Sequence, residues 1–321
     1  MTGSEVFSLM RLRSEVFVVE QNCIYLDLDD KDPKSIHLFA SAKGAASGAA
    51  ARAVVRLVPP GVSYDEPSIG RVAIDLASRG SGLGEELMMR SVRSCYRRWP
   101  GQGIRISAQQ YLIGFYQRLG FATVGEGYLE DDIPHIEMFR PWAGLSYWQV
   151  QHEESVRAFS DCLRNLPVRL LQGTEEKWGG MQVLEHLRRS EQSTWSYLEK
   201  KSQADPFELL ACDLDSDARG IGLLRALDSD ERWTDPTPGG LLSPSPCSDI
   251  DAERAVDDWK NAIDIGYEQL SALYAAPEWW KVQVFKHPIA GRIGFLDTLA
   301  FGVAHVRHHM RQLMRIAESS P

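Results

Sequence analysis

The strand-forming pattern of this chain stops near residue 140, and this change constrains the fold more than any other feature. Three short runs rich in β-branched or apolar residues precede it: AARAVVRLV (50–58), IGRVAID (69–75) and IRISA (104–108). Four stretches with helical periodicity follow it, and strand signals there are nearly absent: 147–165, 176–201, 251–275 and 293–317. The sequence therefore predicts a mixed α/β sheet flanked by helices, followed by an all-α domain.

The segment RPWAGLSY at 140–147 contains the Pro, Gly and Ser typical of a linker. The length of 321 residues suits two domains, because one domain usually holds about 100–200 residues. We expect domains at 1–143 and 144–321. The proline-rich segment 234–249 predicts an irregular loop, after which Asp249 or Asp251 would cap the third helix. Four helices joined by one long and two shorter connections predict a four-helix bundle.

Charge and composition exclude several classes of protein. The net charge is −9, with −1 in residues 1–143 and −8 beyond them, and an acidic second half is poorly suited to binding nucleic acid. No run approaches the roughly 18 apolar residues of a membrane span, and the N-terminus lacks the apolar region of a signal peptide. Five widely spaced cysteines without a CxxC pair suit free thiols. We expect a cytoplasmic protein with no nucleic-acid or membrane partner.

The most informative motif is a glycine-rich turn between a predicted strand and a helix, RGSGLG at 79–84. Glycines let a backbone approach a ligand closely, and the N-terminus of the following helix adds N–H groups and partial positive charge. These features favour a pyrophosphate. The spacing differs from the GxxxxGK[ST] of nucleotide-hydrolysing loops and from the GxGxxG of dinucleotide sites. A plain strand-to-helix turn remains the alternative.

Arg-x-x-Gly-x-Gly in this turn resembles the acetyl-CoA turn of the GNAT acetyltransferase superfamily, and GFYQRLGF at 114–121 resembles its second motif. Three further segments narrow the resemblance to the ElaA family: LRSEVFVVEQNCIYLDLDDKD (12–32), SIGRVAID (68–75) and EDDIPHIEM (130–138). The sequence departs from the pattern at Gln109, where the superfamily often has Asn. It also leaves too little chain before Arg11 for the extra first strand of related proteins.

The resemblance implies transfer of an acetyl group from acetyl-CoA to a small amine or peptide. Tyr116 would protonate the departing thiolate. Glu20 and His135 are candidates for the general base, and His37 and Glu137 remain open beside them. The strand before the turn would pair with the pantetheine amides, and the turn would hold the pyrophosphate. The expected cofactor-binding residues are Val72, Ala73, Ile74, Arg79, Gly80, Ser81, Gly82, Leu83 and Gly84.

An acidic segment near residue 30 carries three aspartates close to two arginines in sequence: Asp27, Asp29, Asp32, Arg11 and Arg13. These residues either shape the acceptor pocket or belong to a solvated acidic loop, and we favour the loop. The segment lacks the Gly and the distal Glu of a calcium loop.

Histidines concentrate in the last predicted helix, in HVRHH at 305–309. Imidazoles at positions i and i+4 of a helix can bind one ion, so His305 and His309 predict a pair, with His308 as a competitor. His186 on the second helix would supply the third ligand. Three neutral imidazoles with an open position are typical of a catalytic divalent-metal site, and zinc or nickel suits them. The alternative is a set of histidines on an exposed helix face.

EHL at 185–187, HPIAGRIGFLDTL at 287–299 and HVRHHMRQL at 305–313 resemble the DinB-like superfamily of four-helix bundles. Many members bind a divalent ion, and the resemblance implies His186, His305 and His309 as ligands. His287 is expected in a loop, with little prospect of binding the metal. Because some members are metal-dependent thiol transferases, a thiol S-transferase is a second hypothesis beside acetyl transfer. The third is a non-catalytic acyl-CoA sensor whose bundle binds a partner or forms a homodimer.

Overall fold

The computed structural model describes residues 1–42, 44, 49–173, 178–229, 252–274 and 276–318. The chain divides into two compact units, Met1–Trp142 and Ala143–Pro321. The predicted loop at 234–249, its capping candidates Asp249 and Asp251, and Cys247 lie outside the described residues. Within the described part of the chain, no helix has the length and apolar character needed to cross a lipid bilayer.

The first unit is a six-stranded mixed sheet with three α-helices, so the predicted α/β class is confirmed. Its strands are β1 (Ile36–Ala40), β2 (Ala53–Val58), β3 (Ser68–Ile74), β4 (Ile104–Gln109), β5 (Ala122–Glu130) and β6 (Ile133–Arg140). Its helices are α1 (Gly3–Arg13), α2 (Leu83–Arg98) and α3 (Ile113–Arg118). The strand order is β1-β2-β3-β4-β6-β5, and all neighbours are antiparallel except the pair β3–β4.

The first helix covers one face of the sheet. Thr2 and Glu5 form a capping box at its start, which satisfies backbone N–H groups that the helix leaves unpaired. Its apolar stripe, with Leu9 and Leu12, packs against Val54 of β2 and its register partner Ala73 of β3. The helix continues as a π-helical stretch over Ser14–Glu20. No described strand precedes α1, and β1 forms the edge of the sheet.

The second helix begins on the opposite face of the sheet. The side chain of Ile74 follows Ala73 on β3 and therefore points to the other side, where it lies 3.6 Å from the Cβ position of Gly84 in the first turn of α2. The β5–β6 hairpin closes through Asp131 and Asp132, both with positive φ, as a two-residue turn of this kind requires.

The second unit is mainly helical. Its helices are α4 (Leu145–Arg164), α5 (Val168–Leu171), α6 (Gly180–Ser202), α7 (Leu214–Asp228), α8 (Ala252–Tyr274) and α9 (Phe295–Glu318). Its strands are β7 (Gln283–His287) and β8 (Gly291–Gly294), which pair as an antiparallel hairpin. The helices α4 and α6 each pack against α8 and α9, and buried aromatic residues such as Phe159 and Trp259 fill the space between them.

Four of these helices correspond to the four predicted stretches, but the prediction missed α7 and the hairpin. Gly220 and Gly222 weaken the helical pattern of α7. The structure gives a reason for the first of them, because a Cβ on Gly220 would overlap the carboxylate of Asp297. The hairpin turns at Gly291, whose φ of +81° favours glycine. The expectation of a strand-free second half was therefore wrong in this segment.

Candidate functional site

The glycine turn is open at the residues predicted to approach a ligand. Gly80 and Gly82 adopt φ values of +75° and +83°, and no described atom lies within 4 Å of a Cβ built on either residue. Gly82 is the N-cap of α2 and offers no side chain to the first-turn N–H groups. These N–H groups therefore remain available to an anion at the start of the helix.

Hydrogen bonds from neighbouring side chains hold the backbone of the glycine turn in place. Asp75 accepts a hydrogen bond from the backbone N–H of Ser78 at 2.7 Å, and the Ser78 hydroxyl accepts one from Arg52 at 2.8 Å. The Ser81 hydroxyl donates to the carbonyl of Ser78 at 2.6 Å. The turn is thus held from one side while its glycines stay exposed on the other.

Arg79 at the start of the turn is paired with Glu20 at the end of the π-helical stretch. Its two terminal nitrogens lie 2.6 and 2.7 Å from the two carboxylate oxygens. The hydrogen bonds from Arg79 lower the pKa of Glu20, which weakens this carboxylate as a proton acceptor. Because the guanidinium of Arg79 is already paired with Glu20, the turn offers a ligand its backbone groups and not this side chain.

The strands β3 and β4 separate beside the turn. Their parallel pairing is limited to Ser68 and Arg105, where both strands begin. Further along, β3 contains a bulge opposite Val54–Arg56 of β2, and Arg71 within it has a φ of +52°. In the described residues, Val72–Ile74 therefore have no strand partner on the side toward β4. Such an edge can pair with the amide groups of an extended ligand.

Tyr116 lies on α3, shortly after the end of β4. Its ring is buried and packs edge-on against Phe115 and Phe121, with centroid distances of 5.0 and 6.0 Å. Burial raises the pKa of Tyr116 to about 12. The phenol is therefore protonated at neutral pH and can act as a hydrogen-bond donor or an acid.

Polar side chains occupy one face of β4, β6 and β5. The register aligns Gln109, His135 and Tyr128 across the three strands. The Tyr128 hydroxyl lies 2.6 Å from the Ser107 hydroxyl, which donates to Glu130 at 2.9 Å. The pairing of Ser68 with Arg105 places their side chains on the same face of the sheet. The polar side chains of β4, β6 and β5 therefore lie on the face that α1 covers over β2 and β3.

The candidate bases on this unit differ in what they contact. His135 places Nδ1 2.8 Å from the carbonyl of Ile133, so Nδ1 carries the hydrogen and Nε2 holds the lone pair. Glu137 accepts a hydrogen bond from Arg105 at 3.0 Å. The Nε2 atom of His37 lies 3.2 Å from the carbonyl of Asp32, and its Nδ1 is buried without a described partner.

The acidic segment near residue 30 is not a solvated loop, so that expectation was wrong. Asp27 and Asp32 both accept hydrogen bonds from the buried Arg13, at 2.8 and 2.6 Å. Arg56 of β2 donates to Asp29 at 2.6 Å and to Asp32 at 2.9 Å. Although burial acts in the opposite direction, these arginines hold the pKa of Asp32 well below its usual range.

Two further arginines near this segment behave differently. Arg71, at the bulge of β3, lies 2.8 Å from Asp27 and places its guanidinium over the rings of Phe17 and Tyr25. Arg11 instead pairs with Glu15 on the exposed side of the helix, outside the cluster. The ion pairs with Arg56 and Arg71 therefore attach the acidic segment to the sheet beside the bulge of β3.

In the second unit, the three predicted metal ligands come together. The Nε2 atom of His305 lies 3.2 Å from Nε2 of His186 and 3.1 Å from Nε2 of His309, and all three rings are buried. One ligand atom from each residue lies within 4.8 Å of the others. Nδ1 of His309 donates to Gln312 at 2.7 Å, which leaves the lone pair on its Nε2.

The two other histidines considered from sequence use Nδ1 for hydrogen bonds with the backbone. Nδ1 of His308 donates to the carbonyl of Leu227 at 2.9 Å, away from the trio. Nδ1 of His287 accepts hydrogen bonds from the backbone N–H groups of Ile289 and Ala290, so its hydrogen is on Nε2. Burial lowers the pKa of His287 to about 4, which keeps this ring neutral at neutral pH.

Comparison with known proteins assigns the first unit. Residues 32–140 match the family model of the acetyltransferase (GNAT) domain. A UPF0039 protein of Synechocystis is 40% identical over 137 residues, which cover 43% of this chain and 86% of that protein. Protein ElaA of Escherichia coli is 37% identical over 139 residues, covering 43% of this chain and 88% of ElaA. The chain belongs to the ElaA family.

The crystal structure of an acyl-CoA N-acyltransferase from Pseudomonas aeruginosa is 42% identical, covers 44% of this chain and 92% of that chain, and has a TM-score of 0.40. The predicted GNAT fold and acyltransferase class of this ElaA family member are confirmed by its family matches. The matched model ends at Arg140, before the helical unit. The DinB-like resemblance of that unit stays a prediction.

Sequence reasoning missed several polar residues of the ElaA-type unit. It did not identify Ser107 and Tyr128, which lie on the polar face of β4, β6 and β5. It also did not identify Arg56 and Arg71, which lie beside the acidic segment. The alternation of Arg105, Ser107 and Gln109 with apolar residues in β4 is a signal that could have placed three polar side chains on one face. The arginines carry no comparable signal, since their partners lie tens of residues away.

Proposed function

We propose that the first unit transfers an acetyl group from acetyl-CoA to an amine. The opening between β3 and β4 supports this proposal most directly, because it leaves the edge of Val72–Ile74 beside a turn with two left-handed glycines. The strand edge would pair with the pantetheine amides. The turn and the first N–H groups of α2 would hold the pyrophosphate. A bound thioester carbonyl at this edge would be polarised by backbone N–H groups.

The acid and the base would come from different elements. The neutral phenol of Tyr116 would protonate the thiolate of CoA as the bond between sulfur and the acetyl carbon breaks. His135 suits the base better than Glu20, because its Nε2 keeps a lone pair while Glu20 is paired with Arg79. The amine would lose its proton to His135 before or as it attacks the carbonyl.

Calorimetric titration with acetyl-CoA tests the cofactor site. Gly82→Glu adds a negative charge where the pyrophosphate would lie, and we expect it to abolish binding. Gly101→Glu is the matched control, because Gly101 also has a positive φ, +87°, and an open Cβ position, but lies beyond the other end of α2. Binding by Gly82→Glu equal to that of the control would reject the assignment.

For the second unit, the convergence of three imidazole nitrogens favours a divalent metal in a DinB-like four-helix bundle. Nitrogens bound at about 2.0–2.1 Å in a tetrahedral arrangement lie roughly 3.3 Å apart, close to the separations of 3.1 and 3.2 Å from His305. His186, His305 and His309 would hold zinc or nickel. Such an ion would supply Lewis acidity and lower the pKa of a bound thiol or water. Metal-dependent thiol transfer is therefore the second candidate function.

A further inference from the structure

The bulge in β3 places a left-handed backbone conformation on an arginine. Between two regular pairs with β2, a single residue of β2, Val55, faces two residues of β3, Arg71 and Val72. The φ of +52° falls on Arg71, whereas the neighbouring Gly70, which could adopt a positive φ at lower cost, does not have one. Local backbone preference therefore does not explain the conformation of Arg71.

The side chain of Arg71 is held by three groups of the chain that precedes β1. Its Nε lies 2.8 Å from the carboxylate of Asp27, which is buried. Its guanidinium carbon lies 5.8 Å from the centroid of the Phe17 ring and 5.4 Å from that of Tyr25. A buried carboxylate and two aromatic faces attract a cation, because little water competes with them. These contacts offset the backbone strain that a left-handed conformation imposes on a residue with a Cβ.

The same bulge lies where β3 leaves β4. The two strands pair only at Ser68 and Arg105, and the bulge begins three residues after Ser68. A regular β3 would continue this parallel pairing and would use the N–H and C=O groups of Val72–Ile74 within the sheet. A bulge bends the strand and interrupts the pairing, which leaves these groups free.

We infer that Arg71 is a positioning residue for acetyl-CoA. By contacting the segment before β1, its side chain fixes the bulge and keeps the edge of Val72–Ile74 free for the pantetheine amides. The inference rests on the proposed acetyl-CoA site. It adds that the affinity for acetyl-CoA depends on Asp27, which is not among the residues expected to contact the cofactor.

Calorimetric titration of the full chain with acetyl-CoA tests the inference on two variants that both remove the contacts of Arg71. Glycine favours the left-handed conformation, whereas the β-branched valine favours an extended one. We expect Arg71→Gly to bind within about threefold of the wild type, and Arg71→Val to bind about tenfold more weakly or worse, an effect of about 1.4 kcal/mol. A merely structural arginine predicts the opposite order, because glycine weakens a strand more than valine does.

Arg105→Val is the matched control on the neighbouring strand. The side chain of Arg105 is 21% exposed, against 23% for Arg71, and it also pairs with carboxylates and lies over two aromatic rings. Its backbone does not have a positive φ. Arg105→Val should therefore bind acetyl-CoA as the wild type does. A loss as large as that of Arg71→Val would show that losing any paired arginine weakens binding, and would overturn the inference.

A double-mutant cycle keeps the test informative if Arg71→Val fails to fold. Asp27→Asn removes the charge that holds Arg71, and it should weaken acetyl-CoA binding by about threefold or more. In the Arg71→Gly background, the same change should leave binding unaltered, because glycine needs no anchor. The cycle cancels the effect of Asp27 on Arg13, since that pair is present in both backgrounds. An equal loss in both backgrounds would overturn the inference.

Hydrogen exchange of the chain without acetyl-CoA tests the bulge itself. The peptide that contains Val72–Ile74 should exchange more slowly in Arg71→Val than in Arg71→Gly, because a regular β3 would pair with β4. Equal exchange in the two variants would overturn the role of Arg71 in opening this edge.

The outcomes separate this inference from the proposed function. Wild-type protein that does not bind acetyl-CoA would reject the proposed function and this inference together. Wild-type protein that binds it, with equal affinities for Arg71→Gly and Arg71→Val, would overturn the inference alone and leave the acetyl-CoA site in place.

Discussion

The two units bury ionisable side chains in opposite ways. In the first unit, the guanidinium of Arg13 is nearly inaccessible, but Asp27 and Asp32 neutralise it at hydrogen-bond distance. In the second unit, His186, His305 and His309 are also buried, yet their Nε2 atoms point at one another. Positive and negative groups satisfy each other in the first case. In the second case, three like groups converge.

This difference indicates where each unit needs a ligand. The buried aspartates of the first unit are paired with arginines without any ligand, and the glycine turn and the edge of β3 offer backbone groups. A hydrogen on one neutral ring can serve only part of this convergence, whereas a metal cation binds three lone pairs at once, and burial opposes protonation of the rings. Burial and the neighbouring imidazoles lower the pKa values of His305 and His309. Neutral imidazoles are the form that binds a metal cation, which supports the metal proposed for this unit.

The largest expected effect is loss of metal. Elemental analysis of protein purified without a His-tag should find up to one zinc or nickel per chain, and His305→Ala or His309→Ala should abolish it. His308→Ala is the matched control, because His308 lies on the same helix but donates to Leu227. Retention of metal by His305→Ala would show that the trio does not hold the ion, and the contrast between the units would lose its basis.

A smaller effect is expected in the first unit. Tyr116→Phe should lower the turnover of acetyl-CoA by about 10²–10⁴-fold with little change in its dissociation constant, because the phenol acts only as the thiolate leaves. The readout is the release of free CoA thiol with an amine that the protein accepts. Tyr96→Phe removes another buried hydroxyl, bound to the carbonyl of Pro141, and should leave turnover unchanged. Full activity of Tyr116→Phe would assign the proton to another group.

Local sequence signals predicted the parts of the fold whose causes are local. The β-branched residues of β2, β3 and β4 predicted these strands, and the glycines at 79–84 predicted the turn. The strand β5 was not predicted. It is exposed along its whole length, so burial imposes no apolar alternation on its sequence. The predicted boundary after residue 143 lies beside the division after Trp142, where RPWAGLSY separates the two patterns.

The same distinction applies to the sites. His305 and His309 could be paired from sequence because one helical turn separates them. Arg13, Asp32 and Arg56 could not be grouped, because their contacts depend on how α1, the acidic segment and β2 pack. Sequence reasoning thus found residues that lie close together along the chain and, with the exception of His186, missed their partners on other elements.

The smallest expected effect is a difference in acid sensitivity between the units. The imidazoles of His287, His305, His308 and His309 have lowered pKa values in the folded state. An unfolded histidine titrates near 6.5, so below about pH 6.5 the unfolded helical unit binds more protons than the folded one, and its stability falls with pH. Asp29 and Asp32 also have lowered pKa values, but their stabilising effect is lost only as pH falls below about 3.8, the ordinary aspartate value.

Between about pH 6 and pH 4, the helical unit should therefore lose stability while the first unit retains it. Hydrogen exchange of the full chain without added metal, measured by mass spectrometry and corrected for the intrinsic pH dependence of exchange, resolves peptides from each unit. Protection of α6 and α9 should decrease in this window, whereas protection of β2 and β3 should persist. Replacing His305 by Phe removes one buried imidazole and should move the loss of protection to lower pH. Simultaneous loss in both units would show that the buried imidazoles do not set the acid sensitivity of the helical unit.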